Sequence, residues 1–161
     1  MLRRRHVLAA ILCAAFLAAA ACGPDVDLKQ ALQVTDESSG WFDAGIQDGK
    51  NKLVPNVTFS LRKTGNVAIN SLSLNVVFRF VGEEEHQDDV FVQRVDCNGA
   101  QTASIPIRSK WGYTGDAPQS RADMLKHSRF RDVEAQIFAK HGAGQWVELR
   151  RVKIERQLLT Q

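Results

Sequence analysis

The segment from Lys52 to Val81 constrains the fold most, because apolar and polar residues alternate through it. In its first half, Val57, Phe59 and Leu61 occupy every second position. After a turn around Gly65, the second half repeats the pattern; its alternate apolar residues are Leu72, Leu74, Val76, Phe78 and Phe80. Only a repeat of two residues places all these side chains on one face. The segment therefore predicts two strands, each with one buried and one solvent-facing side.

Four more segments have strand patterns. The first two are residues 90–95 and 103–108. Pro106 indicates that the strand over 103–108 is an edge strand, because proline cannot donate a ladder hydrogen bond. Residues 133–139 and 146–154 form a second hairpin. In the latter segment the apolar phase slips at Arg150 and Arg151, which predicts a β-bulge there.

The region before Lys52 is rich in turn signals. Asp48 and Gly49 predict a tight hairpin turn. Residues 36–40 are polar and also indicate a turn, whereas residues 28–34 fit either a strand or a short helix. Pro55 suggests that the strand beginning at Lys52 is an edge strand, or that the proline occupies its entry position.

One short helix is predicted, over Arg121–His127. Ser120 precedes it as the N-cap and Asp123 follows three residues later, a variant of the capping box. We expect Met124 and Leu125 to cover one end of the molecule.

These elements predict an all-β fold, an immunoglobulin-like antiparallel β-sandwich of about seven strands with one short helix. The strand-turn-strand unit from Val57 to Phe78 is similar to that of the small FxLYD-like domains of exported bacterial proteins. The resemblance implies a sandwich and no particular activity.

The N-terminus is a targeting segment. Arg3, Arg4 and Arg5 precede an uncharged run from Val7 to Ala21, which is shorter than the roughly 20 residues of a membrane span. The run ends in Ala19, Ala20, Ala21 and Cys22, which resembles the lipobox of bacterial lipoprotein signal peptides. That resemblance implies cleavage after residue 21 and acylation of Cys22. Simple secretion, with cleavage at the A-x-A site of residues 19–21, is the alternative.

The expected organisation is therefore a signal peptide over 1–21, a lipidated tether over 22–27 and a β-sandwich domain over 28–161. Gly23 replaces the aspartate that, in such lipoproteins, retains the anchor in the inner membrane. We expect a lipid-anchored protein of the cell membrane or outer membrane, on its periplasmic or cell-surface side.

Charge and cysteine content limit the function classes. The chain has 21 basic and 18 acidic residues. Removing the signal peptide removes Arg3, Arg4 and Arg5, so the remainder is formally neutral and offers no general basic surface for nucleic acid. With Cys13 removed and Cys22 acylated, Cys97 has no disulfide partner, so apolar burial must hold the domain together. We interpret Cys97 as an inert thiol, with a reactive thiol or an intermolecular link as alternatives.

No motif for catalysis is evident, and no cofactor is implied. The acidic loop at residues 82–89 could bind a cation with His86, but consecutive carboxylates diverge and a solvated loop is the favoured interpretation. His86, His127 and His141 have no fixed spacing to a nucleophile.

A candidate interaction patch can be drawn from the large aromatic residues; its members are Trp41, Phe42, Trp111, Tyr113, Phe138 and Trp146. Packing in the core or at the rim of the sandwich is the alternative for these side chains. The favoured function is a non-catalytic module that binds another envelope protein. A carrier or sensor of an apolar ligand, and an envelope hydrolase or metal-dependent enzyme using His127 and His141, remain open.

Overall fold

The computed structural model describes residues 26–116 and 118–159. The expected signal peptide, Cys22 and most of the tether lie outside these residues. Within them, two β-sheets form a sandwich, with the bounds α1 Leu28–Ala31, β1 Leu32–Gln47, β2 Lys50–Lys63, β3 Leu72–Phe80, β4 His86–Val95, β5 Ile105–Arg108, β6 Tyr113–Asp116, α2 Arg121–Lys126, β7 Val133–His141, β8 Val147–Lys153 and β9 Leu158–Leu159.

The first sheet has the order β5-β2-β1-β9, and β6 shares an edge of β2 with β5. The second has the order β4-β3-β7-β8. All pairings are antiparallel except the short parallel one between β1 and β9. The orders β1-β2-β5 and β8-β7-β3-β4 match strands A-B-E and G-F-C-C′ of immunoglobulin-like sandwiches. The predicted fold class is confirmed; β6, β9 and α1 are short elements in addition to those expected.

The core lies between the sheets and consists of the predicted alternate residues. Val57, Phe59 and Leu61 of β2 are fully buried. On β3 the buried side chains are Leu72, Leu74, Val76 and Phe78, whereas Phe80 at the strand end is only partly buried. Each completely buried side chain of this size contributes about 1.5–3 kcal/mol, so this apolar layer is the main source of stability.

The hairpin at Asp48 and Gly49 is also confirmed. Gln47 pairs with Lys50, and the two turn residues have φ angles of 50° and 76°. Two successive positive φ angles are the requirement of a two-residue type I′ turn, for which Asp-Gly is a preferred sequence.

The predicted turn at residues 36–40 is wrong. β1 continues through this region and absorbs extra residues in two register shifts, between Thr35 and Ser38 and between Asp43 and Ile46. Asp36 has a φ of 52° and Gly45 a φ of 80°. The polar residues that suggested a turn thus form bulges, where a left-handed residue bends a strand without ending it. Residues 28–34 divide into α1 and the start of β1.

Pro55 does not lie on an edge strand, because β2 is central in its sheet. It pairs with Trp41 on one side. On its other side Pro55 falls in the gap between two ladders. The ladder from β2 to β5 begins at the next residue, Asn56, and the ladder from β2 to β6 ends at Leu53. The Pro55 carbonyl accepts a hydrogen bond from the N–H of Ser109, at 3.0 Å. Pro55 therefore lies where no neighbouring strand requires the backbone N–H that proline lacks.

Three further predictions concern strand and helix ends. β5, which carries Pro106, is an edge strand as expected. The Asp123 N–H donates to Ser120 Oγ at 3.1 Å, which confirms the N-cap of α2, and both Met124 and Leu125 are buried. The bulge in β8 occurs one residue earlier than predicted, because Ile137 pairs with Arg150 and Phe138 with Glu148, leaving Leu149 as the extra residue.

Gly112 allows the chain to approach β2 closely before β6. A Cβ atom at this position would lie 2.1 Å from the carbonyl oxygen of Leu53. The contact is with backbone, which cannot rotate away. A side chain here would force β6 away from β2.

We therefore expect Gly112→Ala to lower the free energy of unfolding by about 1–3 kcal/mol, the usual cost of overpacking, in urea denaturation followed by tryptophan fluorescence. Gly65→Ala is the matched control, because a Cβ atom at this position would lie 3.9 Å from its nearest neighbour, Val67 Cγ2. Equal destabilisation by both substitutions would contradict this account.

Candidate functional site

The six aromatic residues of the predicted patch do not form one surface. Trp41 is 0% exposed, so its expected place in a surface patch is wrong. Its ring contacts Phe130, with ring centroids 4.8 Å apart, and Tyr113, at 5.6 Å. The reason is that β1 continues past residue 40 and turns Trp41 inward, opposite Pro55. Phe42 points away from the core, and its ring is covered by the Arg108 guanidinium at 3.2 Å from the centroid.

Trp111 and Tyr113 belong to the rim of the sandwich. The Trp111 ring lies 5.4 Å from those of Phe80 and Tyr113, centroid to centroid. The Tyr113 hydroxyl accepts a hydrogen bond from the N–H of Arg131 at 3.0 Å. These half-buried rings close one end of the core, which is the packing role that the sequence offers as the alternative to a surface patch.

Phe138 and Trp146 lie on the outer face of the four-stranded sheet, together with Phe91, which the sequence interpretation omitted. Asn75 of β3 pairs with Phe91 of β4 on one side and with Phe138 of β7 on the other. Phe91 is 50% exposed and Trp146 41% exposed. Their rings meet edge to face, with centroids 5.8 Å apart. We call Phe91, Phe138, Trp146 and Asn75 the aromatic face.

A signal for Phe91 was present in the sequence. Val90 and Val92 pack against the core, so the residue between them must point outward. An aromatic side chain at an outward strand position is the unusual feature, because polar residues normally occupy positions that face water. Counting only inward positions misses it.

Polar atoms without partners lie within the same sheet surface. Asn75 Oδ1 and Gln136 Oε1 are shielded from solvent and accept no hydrogen bond within the described part of the chain. Gln136 is 3% exposed and pairs with Val77, beside the row of Asn75. A shielded acceptor without a donor costs about 1–3 kcal/mol. The chain's own side chains cover both atoms, so the aromatic face presents its rings to a partner and not these acceptors.

The basic residues near the C-terminus are neutralised by carboxylates. Arg150 makes two hydrogen bonds to Glu37, at 3.0 and 3.1 Å, and Arg151 contacts Glu134 and Glu148. Lys153 and Arg156 both bind Asp132, whose pKa is lowered by the hydrogen bonds from these two side chains. β8 is an edge strand, so this row of charged side chains protects a sheet edge against pairing with another chain.

Asp88 connects the two sheets across their other edge. Its carboxylate accepts hydrogen bonds from Ser109 Oγ and from the Lys110 N–H, each at 2.6 Å. Burial alone would raise its pKa, but the hydrogen bonds from Ser109, Lys110, Trp111 and Asp89 outweigh that effect and hold the pKa below its ordinary value. This carboxylate therefore holds the segment that places Trp111 on the core.

The remaining predicted residues are dispersed. His141 pairs with Leu72 at one end of the four-stranded sheet. His127 is the C-cap of α2 and precedes the start of β7, at the other end of that strand, so these two side chains do not share a site. Cys97 is buried, and burial raises the pKa of its thiol, which lowers its reactivity. Between residues 26 and 159, leaving out 117, no three His, Cys, Asp or Glu side chains are grouped to hold a metal ion.

The surface also carries shallow grooves. One groove beside α2, of about 370 Å³, is lined by residues that include Tyr113, Met124, His127 and Arg129. It is open to solvent, and His127 Nδ1 already accepts a hydrogen bond from the Arg129 N–H at 3.2 Å. None of the helices in the described ranges is long and apolar enough to cross a membrane.

Comparison of the chain with protein-family models, with curated proteins and with solved structures gives no match. The functional assignment therefore depends on the residues themselves.

Asp88 generates a prediction about pH. Because its pKa is lower in the folded than in the unfolded chain, it stabilises the fold above the ordinary value of 3.8, and this contribution is lost as the pH falls below that value. We expect Asp88→Asn to lose about 1–3 kcal/mol at pH 7, since charge-assisted hydrogen bonds are weakened.

The variant should also lose less stability than the wild type between pH 5 and pH 3. Urea titrations at these pH values measure both effects. Asp89→Asn, at the exposed neighbouring position, is the control and should behave as the wild type. If Asp88→Asn kept the full acid sensitivity, another carboxylate would be responsible.

Proposed function

We propose that this chain is a lipid-anchored protein of the bacterial cell envelope whose β-sandwich is a non-catalytic module that binds another envelope protein through the aromatic face. The lipobox-like residues 19–22 support the anchor. The observation that carries the binding role is the edge-to-face contact between two exposed rings, Phe91 and Trp146, on the outer face of the four-stranded sheet.

The chemistry of this face favours a protein over a lipid as its occupant. Exposed aromatic side chains clustered on one surface are characteristic of the centres of protein interfaces. A lipid acyl chain would offer nothing to the Lys140 ammonium group, which lies 5.8 Å from the centroid of the Trp146 ring. A protein surface can offer apolar and polar groups together.

The two alternative functions receive less support. A carrier of an apolar ligand needs space between its sheets, and that space is filled by large side chains such as Phe59 and Phe78. A hydrolase built on His127 and His141 would need these groups together, and they lie at opposite ends of β7.

A lipid anchor would hold the module stably on a membrane. Each buried methylene group contributes about 0.8 kcal/mol, and two or more acyl chains give lasting attachment. With Cys22 acylated, only a short tether separates the membrane from the first described residue, Val26.

The anchor predicts that cells fed an alkyne-bearing fatty acid label the wild-type protein, and that the labelled protein fractionates with membranes. Cys22→Ala should lose both label and membrane association, whereas Cys97→Ala should keep both. An unlabelled wild-type protein that is released in soluble form would instead favour cleavage at the A-x-A site of residues 19–21.

The aromatic face predicts a site-specific contact in cells. A photoreactive phenylalanine analogue at position 91 should crosslink to one envelope protein, and Trp146→Ser should cut the yield about tenfold, as expected when an interface loses about 1.4 kcal/mol. The matched control is the analogue at position 46, because Ile46 is 69% exposed and lies in the other sheet.

Equal crosslinking from positions 91 and 46, or no product from position 91, would contradict the proposal. A product of twice the mass of the chain would contradict it as well, since the partner would then be a second copy.

A further inference from the structure

The chain enters the fold at one identifiable end of the sandwich. Beside α1 lie the loops 64–71, 96–104 and 142–146. The Thr64 N–H donates to the Ala31 carbonyl at 3.1 Å, and the Gly142 N–H donates to the Ser71 carbonyl at 3.0 Å. A groove of about 290 Å³ places Val26 and Leu28 against the turn between β7 and β8. We call α1, its N-cap and these three loops the entry end.

The carboxylates at the entry end are already engaged. Asp27 Oδ1 accepts the Lys29 N–H and Asp96 Oδ1 accepts the Asn98 N–H, each at 3.0 Å. Asp36, on β1 behind the loops, accepts a hydrogen bond from Gln101. Their negative charge is thus partly offset by backbone and amide dipoles.

Basic side chains at and next to the entry end are free of such pairing. Lys29 lies on α1, Lys63 ends β2 and Arg94 lies near the end of β4. Lys29 and Arg94 are exposed, and none of the three forms an ion pair within the described part of the chain.

The opposite end, which we call the acidic end, carries a run of exposed acidic residues after β3. Glu83 is paired there with Arg131, whereas Glu84 and Glu85 form no ion pair within the described part of the chain. Asp48 lies at the same end, in the turn between β1 and β2. Because Leu72 pairs with His141 and Phe80 with Val133, the length of β7 separates this end from the entry end. Nine residues of strand span about 30 Å.

The tether is too short to invert this arrangement. Cys22 and Val26 are four residues apart, which an extended chain spans in about 14 Å. If Cys22 lies at the lipid headgroups, the entry end lies within about 14 Å of the headgroups. The acidic end cannot reach the headgroups unless the entry end moves away from its own anchor.

We propose that the entry end faces the bilayer and that Lys29, Lys63 and Arg94 contact the phosphates of anionic lipid headgroups. This inference rests on the acylation of Cys22 proposed above. Basic residues near an anionic surface each strengthen attraction severalfold, whereas the unpaired carboxylates of Glu84 and Glu85 would be repelled from it. The partner at this end is a membrane surface and not a protein.

The test uses the acylated mature protein, which has lost the expected signal peptide and Cys13 with it. It carries Cys97→Ala. A fluorophore is attached at Asn66→Cys in the entry end or at Glu84→Cys in the acidic end, both exposed positions. The protein is placed in vesicles of phosphatidylcholine and phosphatidylglycerol that carry a nitroxide on the headgroup. We expect quenching at position 66 to exceed that at position 84 at least threefold.

The charge contribution is tested by Lys29→Glu, Lys63→Glu and Arg94→Glu together. Because the tether still holds the entry end near the headgroups, this variant should reduce the difference in quenching between the two positions and not abolish it. The control variant carries Lys110→Glu, Lys126→Glu and Arg129→Glu. It changes the net charge equally at or near the acidic end and should not reduce the difference. An undiminished difference in the first variant would overturn the headgroup contacts.

Mass spectrometry of the same samples separates the two proposals. Equal quenching at positions 66 and 84 in protein that carries acyl chains would overturn the orientation alone. A protein without acyl chains would overturn the anchor, and the orientation with it.

Discussion

The burial of one face of each sheet against the other is the interaction on which the rest of the structure depends. Phe59 and Leu61 of β2 meet the layer formed by Leu74, Val76 and Phe78 of β3, and no disulfide supports this layer within the described residues. A sandwich held this way is stable only if its inner faces are continuous. That requirement explains why β1 absorbs extra residues in bulges instead of turning away, and why Gly112 is needed where β6 approaches β2.

Because the inner faces supply stability, the outer faces and the ends are free to vary. Most outward positions carry polar or charged residues that pair locally, such as Arg151 with Glu134 and Arg150 with Glu37. The aromatic face departs from this rule. Phe91 and Trp146 expose apolar area that contributes little to the core, and Asn75 retains an unused acceptor. Features that cost a folded domain free energy are expected where it binds something else.

The sequence predicted the parts of the fold that depend on a repeat of two residues or on special backbone angles. The alternation from Val57 to Phe78 identified β2 and β3 with their buried faces, and the pair Asp48 and Gly49 identified the hairpin. It failed where the same local signal has two structural outcomes. Asp36 can end a strand or form a bulge within it, and the choice depends on whether β2 continues alongside.

The candidate site was only partly predictable for a related reason. Trp41 is fully buried, whereas Trp146 lies partly in solvent on the outer face. Which side of a strand a residue occupies depends on its register, and the bulges of β1 and β8 change the register within the strand. Pro55 illustrates the same limit, because its tolerance on a central strand depends on where two other strands end.

The proposed anchor and the proposed binding surface constrain each other. If the entry end faces the bilayer, the strands run roughly along the membrane normal. The outer face of the four-stranded sheet then points parallel to the membrane plane. Phe91 and Phe138 then lie about half a strand length above the headgroups, since both pair with Asn75 in the middle of β3. Under these two proposals a partner has to come to the membrane surface to reach this height, because a sandwich held within about 14 Å of the headgroups cannot search farther into the compartment.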